Sequence, residues 1–521
     1  MFSYGIDLGT TYSCIARADA TGKAEVLKNI EGKNITPSVV EFISSTEIIV
    51  GETAKGDAIL SPDNVVLYIK RSMGKQDEKR EFHGKAFTPE EISALILKKL
   101  VSDAEQMTGD RITDVVITVP AYFGFDERLA TENAGKIAGL NVLSIVNEPT
   151  AAAIAYSANS KTKDDKVVPV YDLGGGTFDI TVAEIVGDNV TVISTEGNHT
   201  LGGKDWDAEL MSYFITQFCE KTDVTESEIY EDSEVLNELV LKTEEAKKEL
   251  TNKNSASFTL SMGRGKRAKL EITLEKFDEI TRHHLLSTIE LTKVALKQAS
   301  QKTSSKGKPC DQFDEIIFVG GSTRMRQVNE AMSNEFGVEA QMFEPDEAVA
   351  RGAALLAQIL VADRTAENTG VQTVSAEERF SEVTSKSYGV AAMIGDNLML
   401  SHVILKNDEI PCSKTNTYQT RGMSQTKIEI KVYESNMPDE VIELSFGKKI
   451  TSGEMILPPG LPSETPIFVT FSLDRKGLLN ITAVENSRGS KCNIVVETLG
   501  LSEAEVLIMQ NQTSTIQISD C

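Results

Sequence analysis

The chain has 521 residues, 40% apolar and 25% charged, with a formal net charge of −25. That balance fits globular domains rather than wholesale disorder, and the length suggests roughly three or four units of ~150 residues. Such acidity argues against nucleic acid as a main partner, because that affinity is driven by cations; apolar runs as short as Ile316 to Val319 fall far below the ~18 residues of a membrane helix.

The N-terminal MFSYGIDLGTTYS lacks a basic stretch followed by an apolar core, so no secretory leader is expected. From Met1 to about Val361, short apolar strands alternate with longer amphipathic helices. Asp114–Pro120 reads as strand, Asp126–Ala138 as helix and Asn141–Val146 as strand again. Such alternation predicts an α/β domain with largely buried sheets. The helix after Glu275 carries His283-His284. Neighbours on a helix point about 100° apart, so the pair is poor chelating geometry. Residues 300–312 read as a solvated loop. Residues 362–381, ADRTAENTGVQTVSAEERFS, are polar and read as a linker. From 382 to 500 the pattern is period-two alternation: Ile428, Ile430 and Val432 alternate with Lys427, Glu429 and Lys431. With turns such as Asp474-Arg-Lys-Gly, that predicts an antiparallel sandwich. Residues 501–521 open with a capping box, Ser502 and Glu505, ahead of a short helix. The six cysteines (14, 219, 310, 412, 492 and 521) are scattered without a C-x-x-C pair. They suit a reducing compartment, and Cys14 reads as a buried structural thiol.

The strongest chemical signal is a pair. Tyr4-Gly-Ile-Asp7-Leu-Gly-Thr-Thr11 resembles Val170-Tyr-Asp172-Leu-Gly-Gly-Gly-Thr177. Each is a strand ending in Asp, then a glycine turn with hydroxyls, then another apolar strand. Glycines let backbone N–H groups approach phosphate oxygens, and a strand-end carboxylate can hold magnesium through water. Two copies predict two similar lobes pinching one nucleotide. Phe313 to Arg324 adds strand, glycine pair and helix, which sets a bare backbone and a helix N-terminus beside the ligand. No G-x-x-x-x-G-K-[ST] is present: Gly197 to Lys204 misses by one residue. No G-x-G-x-x-G follows a strand, which disfavours a dinucleotide fold.

At these residues the chain resembles the heat-shock protein 70 (DnaK-type) chaperones. The matching strings are GIDLGTTYS (5–13), VPAYF (119–123), NEPTAAAIAY (147–156), DLGGGTFD (172–179), VGGSTR (319–324) and PDEAVARGAA (345–354). The resemblance implies an actin-like (ribonuclease H-like, duplicated) two-lobed α/β ATPase domain over 1–361, followed by an all-β antiparallel peptide-binding sandwich. It implies an ATPase using ATP/ADP and magnesium, with potassium as a further candidate ion. It also implies unfolded polypeptide clients, a J-domain co-chaperone and a nucleotide exchange factor as partners, with cytoplasmic location and neither nucleic-acid nor membrane binding.

The resemblance assigns roles residue by residue. Asp7 and Asp172 match magnesium holders. Gly9, Thr10, Thr11 and Tyr12 match the first phosphate loop; Gly174, Gly175, Gly176 and Thr177 match the second, with Gly202 and Gly203 beside it. Lys70 matches the lysine that positions the attacking water and offsets developing charge. Glu148 and Asp179 match carboxylates that polarise water and support the metal. Glu244, Lys247, Lys248, Thr251, Gly320, Gly321, Ser322, Arg324 and Asp346 match adenosine contacts. Lys248 stands where some relatives place Arg, so its stacking on adenine should be weaker. Pro120 and Arg128 match an interdomain relay. In the sandwich, Val390, Met393, Tyr418, Ile428 and Ile430 match the peptide cleft.

Four departures stand out. The apolar linker of the family is replaced by Arg379-Phe-Ser-Glu-Val-Thr-Ser385, from which weakened coupling between the domains is expected. The long helical lid is represented only by its beginning. Arg421 sits where a small residue is expected over the peptide, which should disfavour cationic peptides. Lys204 stands where many relatives carry an acidic residue. The polar linker and short lid keep a second reading open, an ATP-regulated binding protein with weak turnover and few clients. A kinase on the same duplicated fold is a more remote alternative, with no use for a C-terminal sandwich.

Overall fold

Two sheets with the same strand order form the front of the molecule. The computed structural model describes residues 2–58, 61–75, 77–160, 164–263, 265–369, 375–485, 490–494 and 501–519. In the first lobe the order is Asn141–Asn147, Asp114–Val119, Ser3–Asp7, Tyr12–Ala18, Ala24–Val26. The first three strands are parallel and the last two antiparallel. In the second lobe the order is Ala340–Met342, Ile316–Val319, Lys166–Leu173, Phe178–Val186, Asn189–Asn198, with the same directions. The duplication visible in the motifs is therefore a duplication of topology. This is the actin-like two-lobed arrangement expected from the sequence.

Helices Glu148–Asn159 and Ala348–Thr369 cross between the sheets. Their facing residues are small, and the backbones nearly touch: a Cβ on Gly352 would lie 1.7 Å from the carbonyl oxygen of Ala151. Only glycine allows that approach. Ala151 to Ala153 and Ala353 to Ala354 are fully buried there.

The residues read as a linker are not irregular. Residues 362–369 continue the Ala348–Thr369 helix, Ala376–Arg379 forms a short helix, and Phe380–Val383 forms a strand. That strand pairs parallel with Asn189–Asn198 and antiparallel with Glu409–Ile410, so it extends the second-lobe sheet toward the sandwich. The expectation of weakened coupling rests on missing apolar area. Strand pairing uses main-chain groups, which a polar sequence supplies equally well.

The sandwich has two antiparallel sheets. One runs Val441–Glu443, Asn397–Ile404, Ser387–Ile394, Lys427–Ser435, Lys448–Ile456; the other runs Cys412–Gln419, Pro466–Leu473, Leu479–Glu485, Ser490–Ile494. Its core includes Tyr388, Val432, Phe471 and Ile481, and Phe125 of the first lobe joins that same apolar cluster. Lys476 of the sandwich ion-pairs with Glu132 at 2.7 Å, Lys448 with Asp126 at 2.9 Å, and Lys406 with Glu196 at 2.6 Å. The boundary placed at 500 lies outside the described residues.

The capping box at Ser502 does start a helix, Glu503–Ser514. Read as the start of a lid, this segment packs on the first lobe instead. Val506 is buried with Ala94 and Ile137, and strand Gln517–Ile518 adds in parallel to Glu47–Val50. Among the described residues, no helix is long and apolar enough to cross a membrane.

Candidate functional site

Asp7 is the last residue and Asp172 the last but one of corresponding strands, and each strand leads into a tight turn that its surroundings hold in place. Behind the first turn, Ser13 Oγ accepts the Gly9 N–H at 3.1 Å, while Ser38 Oγ donates to the Gly9 carbonyl at 2.8 Å. The second turn is held by its carbonyls. Gly174 O accepts the Gly203 N–H at 2.9 Å and the Ser322 hydroxyl at 2.9 Å; Gly175 O accepts the Lys204 N–H at 2.9 Å. Arg71 donates to Gly176 O at 2.7 Å and pairs with Asp205 at 2.8 Å. The two turns face each other at contact distance: a Cβ on Gly175 would lie 1.9 Å from Thr11 Oγ1 and one on Gly176 2.6 Å from Thr10 Oγ1.

Between the turns opens a cavity of about 460 Å³, within the range of small-molecule and cofactor sites. Asp7, Gly9 to Tyr12, Lys70, Glu148, Asp172, Gly174 to Thr177, Glu244, Lys247, Lys248, Thr251, Gly320 to Ser322, Arg324 and Asp346 all line it. Gly202, Gly203 and Asp179 do not. Gly202 lies behind the second turn, where a Cβ would sit 2.6 Å from Gly176 C. Asp179 is buried beneath the cleft, with Oδ1 accepting the Tyr122 N–H at 2.9 Å.

Sequence reasoning missed Tyr68, Ile35, Asp207, Met325, Pro345 and Val349, which also line the cavity. Asp207 had a signal, one helical turn past Gly203; it pairs with Lys247 at 2.7 Å. Lys204 finds a role across the cleft, its ammonium 4.4 Å from the centre of the Tyr68 ring. Cys14 is buried, as read from sequence, and burial raises its thiol well above the ordinary range.

The charges are unbalanced. Lys70 is buried and its ammonium contacts Glu148 Oε1. Around that one lysine stand Asp7, Asp172 and Asp179. Burial, reinforced by the charge of Glu148, raises the carboxyls of Asp7 and Asp172, and pushes Asp179 up to about 8. Asp179 Oδ2 is buried without a hydrogen-bond partner. Hard oxygen donors in excess of cationic charge, with one oxygen unclaimed, are the chemistry a magnesium site requires. The residues fit the ion.

Above the cleft the two lobes meet. Glu244 of helix Ser233–Leu250 pairs with Lys55 of the first lobe at 2.7 Å and with Lys248 at 2.7 Å; both lysines also donate to the Tyr12 hydroxyl. Lys248 is thus engaged by Glu244 and Tyr12. Arg324 pairs with Asp346 at 2.6 Å.

Below the cleft, Pro120 ends its strand and its carbonyl accepts the Phe123 N–H at 3.1 Å. Phe123 O accepts from Arg128 Nε at 3.2 Å and from Ser385 Oγ at 3.3 Å. Arg128 is buried; it also donates to Asn147 Oδ1 and, in the sandwich, to Lys476 O at 3.3 Å.

The five peptide-cleft residues are not gathered on one open surface. Val390 and Ile430 are buried in the sandwich core, Tyr418 and Ile428 pack against it half-buried, and Met393 is half-buried nearby. Tyr418 donates to Ser401 Oγ at 3.0 Å.

The sequence model of the family described as "Hsp70 protein" matches residues 3–521. Among curated relatives, the "Chaperone protein DnaK" of Thermotoga petrophila is 39% identical over 502 residues, which is 95% of this chain and 80% of the relative. Those of Thermotoga maritima and Thermotoga neapolitana match at the same identity and coverage.

Proposed function

The chain belongs to the heat-shock protein 70 family, and on that premise we propose that it is a chaperone that hydrolyses ATP with magnesium and holds extended apolar stretches of unfolded polypeptides. The observation that supports the reading is the convergence of two glycine turns from duplicated sheets on one cavity, with Lys70 and Glu148 between them.

The two turns and the hydroxyls of Thr10, Thr11 and Thr177 grip the phosphate chain, while Gly320, Gly321, Ser322, Arg324 and Asp346 contact the adenosine. Asp7 and Asp172 would hold magnesium, with Asp179 beneath them. Magnesium, when bound, neutralises phosphate oxygens and so stabilises charge in the transition state. Lys70 positions the attacking water and faces the charge that develops on the transferring phosphate. Glu148 orients Lys70 and polarises the water. Because the site is buried, these charges act in a low-dielectric setting, where they count for more than in water.

Arg128, Phe123 and Ser385 link the floor of the cleft to the sandwich. Nucleotide state therefore has a short hydrogen-bonded route to the peptide-binding part. Clients, a J-domain co-chaperone and a nucleotide exchange factor are the partners this reading implies. Four described cysteines, all free thiols, support a cytoplasmic setting.

A steady-state ATPase assay with Lys70→Ala tests the proposal. Removing a charge that acts mainly in the transition state is expected to lower kcat by about 10²- to 10³-fold, with ATP affinity by calorimetry changed far less. Wild-type protein that binds no ATP, or a variant that turns over at the wild-type rate, would overturn it.

A further inference from the structure

Helix Gly203–Thr222 and helix Leu274–Ala299 lie side by side in the second lobe. Where they meet, Glu209 Oε1 lies 3.4 Å from His283 Nε2 and 3.6 Å from His284 Nε2. The three ligand atoms fall within 4.8 Å of one another. We propose that Glu209, His283 and His284 form a binding site for a divalent transition cation of the zinc type, which ties the two helices together.

The donor set is chemically selective. Imidazole nitrogens suit zinc and its neighbours, while magnesium and calcium prefer all-oxygen shells. Tetrahedral zinc with bonds of about 2.0–2.1 Å sets its ligand atoms about 3.3 Å apart, so the carboxylate oxygen already stands near its ligand spacing from both rings. The helical spacing of adjacent histidines had argued against chelation. That argument concerns the pair alone. Here the ring centres are 3.9 Å apart, and the third donor arrives from the neighbouring helix.

His284 carries the sharpest observation. Its Nε2 is buried and has no hydrogen-bond partner. The fourth position opens outward, because His283 and Glu209 are partly exposed. Three protein ligands and an open position admit water or an exogenous ligand. The site stands apart from the nucleotide cavity, and none of its three residues lines that cavity.

The chain supplies its own reporter. Trp206 is its one tryptophan, and its ring centre lies 5.0 Å from that of His284. The experiment titrates zinc chloride into the untagged, metal-stripped full chain without nucleotide, read by tryptophan fluorescence and by calorimetry. A saturable one-to-one response is expected, with none from magnesium chloride. Glu209→Gln and His283→Ala, tested separately, are each expected to weaken zinc binding at least tenfold. Both side chains are exposed enough for these variants to fold, which melting curves without metal verify, and ATP hydrolysis is expected to stay at the wild-type rate. No saturable response in the wild type, or equal affinity in both variants, would overturn the assignment. Zinc that binds only elsewhere gives that second result.

Discussion

The carboxylate of Glu382 accepts the backbone N–H of Asn147 at 3.0 Å. Asn147 immediately precedes Glu148, and its side chain receives Arg128. One acidic side chain of the linker strand thus caps the strand end that leads into the site, beside a buried guanidinium. Glu382 is half-buried; burial raises its carboxyl, and Arg128 opposes that shift. In Glu382→Ala the Asn147 N–H loses its partner in a buried setting, at about 1–3 kcal/mol. The linker strand is expected to detach, with faster amide exchange over Phe380–Val383 and its partner Glu409–Ile410. Glu382→Gln keeps an acceptor and should lose less. ATP is expected to accelerate release of a fluorescent peptide from the wild type and to do so less in Glu382→Ala. Equal exchange in all three proteins would mean that the strand docks without this carboxylate.

Much of this was legible in the sequence, and the boundary is physical. Asp7, Asp172 and Gly320 could be found because a tight turn at a strand end restricts which residues fit, and Gly320 does take φ 81°. The sandwich could be read because Ile428, Ile430 and Val432 alternate with charged residues. Phe380–Val383 escaped because main-chain pairing leaves no compositional mark. Arg71 and Asp205 escaped because a pair separated by most of a lobe has no local pattern. The segment after Ser502 announced a helix, but a capping box says nothing about which surface the helix will cover. Val390 and Ile430 illustrate the converse: aliphatic alternation marks a buried face without separating core from cleft.

Glu244 closes the top of the cleft, and its ionisation makes that closure sensitive to acid. Burial alone would raise its carboxyl, but Lys55 and Lys248 outweigh that and hold it at about 2, against an ordinary value of 4.5. Because the folded value is depressed, the carboxylate stabilises the protein above pH 4.5, and that contribution is lost as pH falls toward 2. The stability difference between wild type and Glu244→Gln, from denaturant melts, is expected to be flat above about pH 5 and to shrink below it. At neutral pH the same substitution removes a bridge between lobes, expected at about 1 kcal/mol, or about fivefold faster nucleotide release by stopped flow. A difference that stays constant down to pH 3 would assign the effect to shape rather than charge.

Val506 anchors the C-terminal helix to the first lobe, buried against Ala94 and Ile137. Around it, Lys98 Nζ donates to Thr513 Oγ1 at 2.9 Å, and the Gln517 and Ser519 N–H groups donate to Thr46 O and Ile48 O at 2.9 Å each. Val506→Asp would press a carboxylate into that apolar contact. The penalty for an unpaired buried charge, more than ~2 kcal/mol, exceeds what a single helix and a two-residue strand supply. Residues 501–519 are expected to come away from the lobe, while the rest of the first lobe keeps its amide protection. Lys98 offers an independent check. Burial depresses its ammonium to about 8, below the ordinary 10.5. A depressed lysine means that the docked state binds fewer protons than the released one between those values, so docking tightens as pH rises from about 8 to about 10. Wild-type exchange at Gln517 and Ile518, corrected for the intrinsic rate, should therefore slow over that interval, and the slowing should vanish in Lys98→Met. If Val506→Asp leaves the exchange of Gln517 and Ile518 unchanged, the strand alone holds the segment in place.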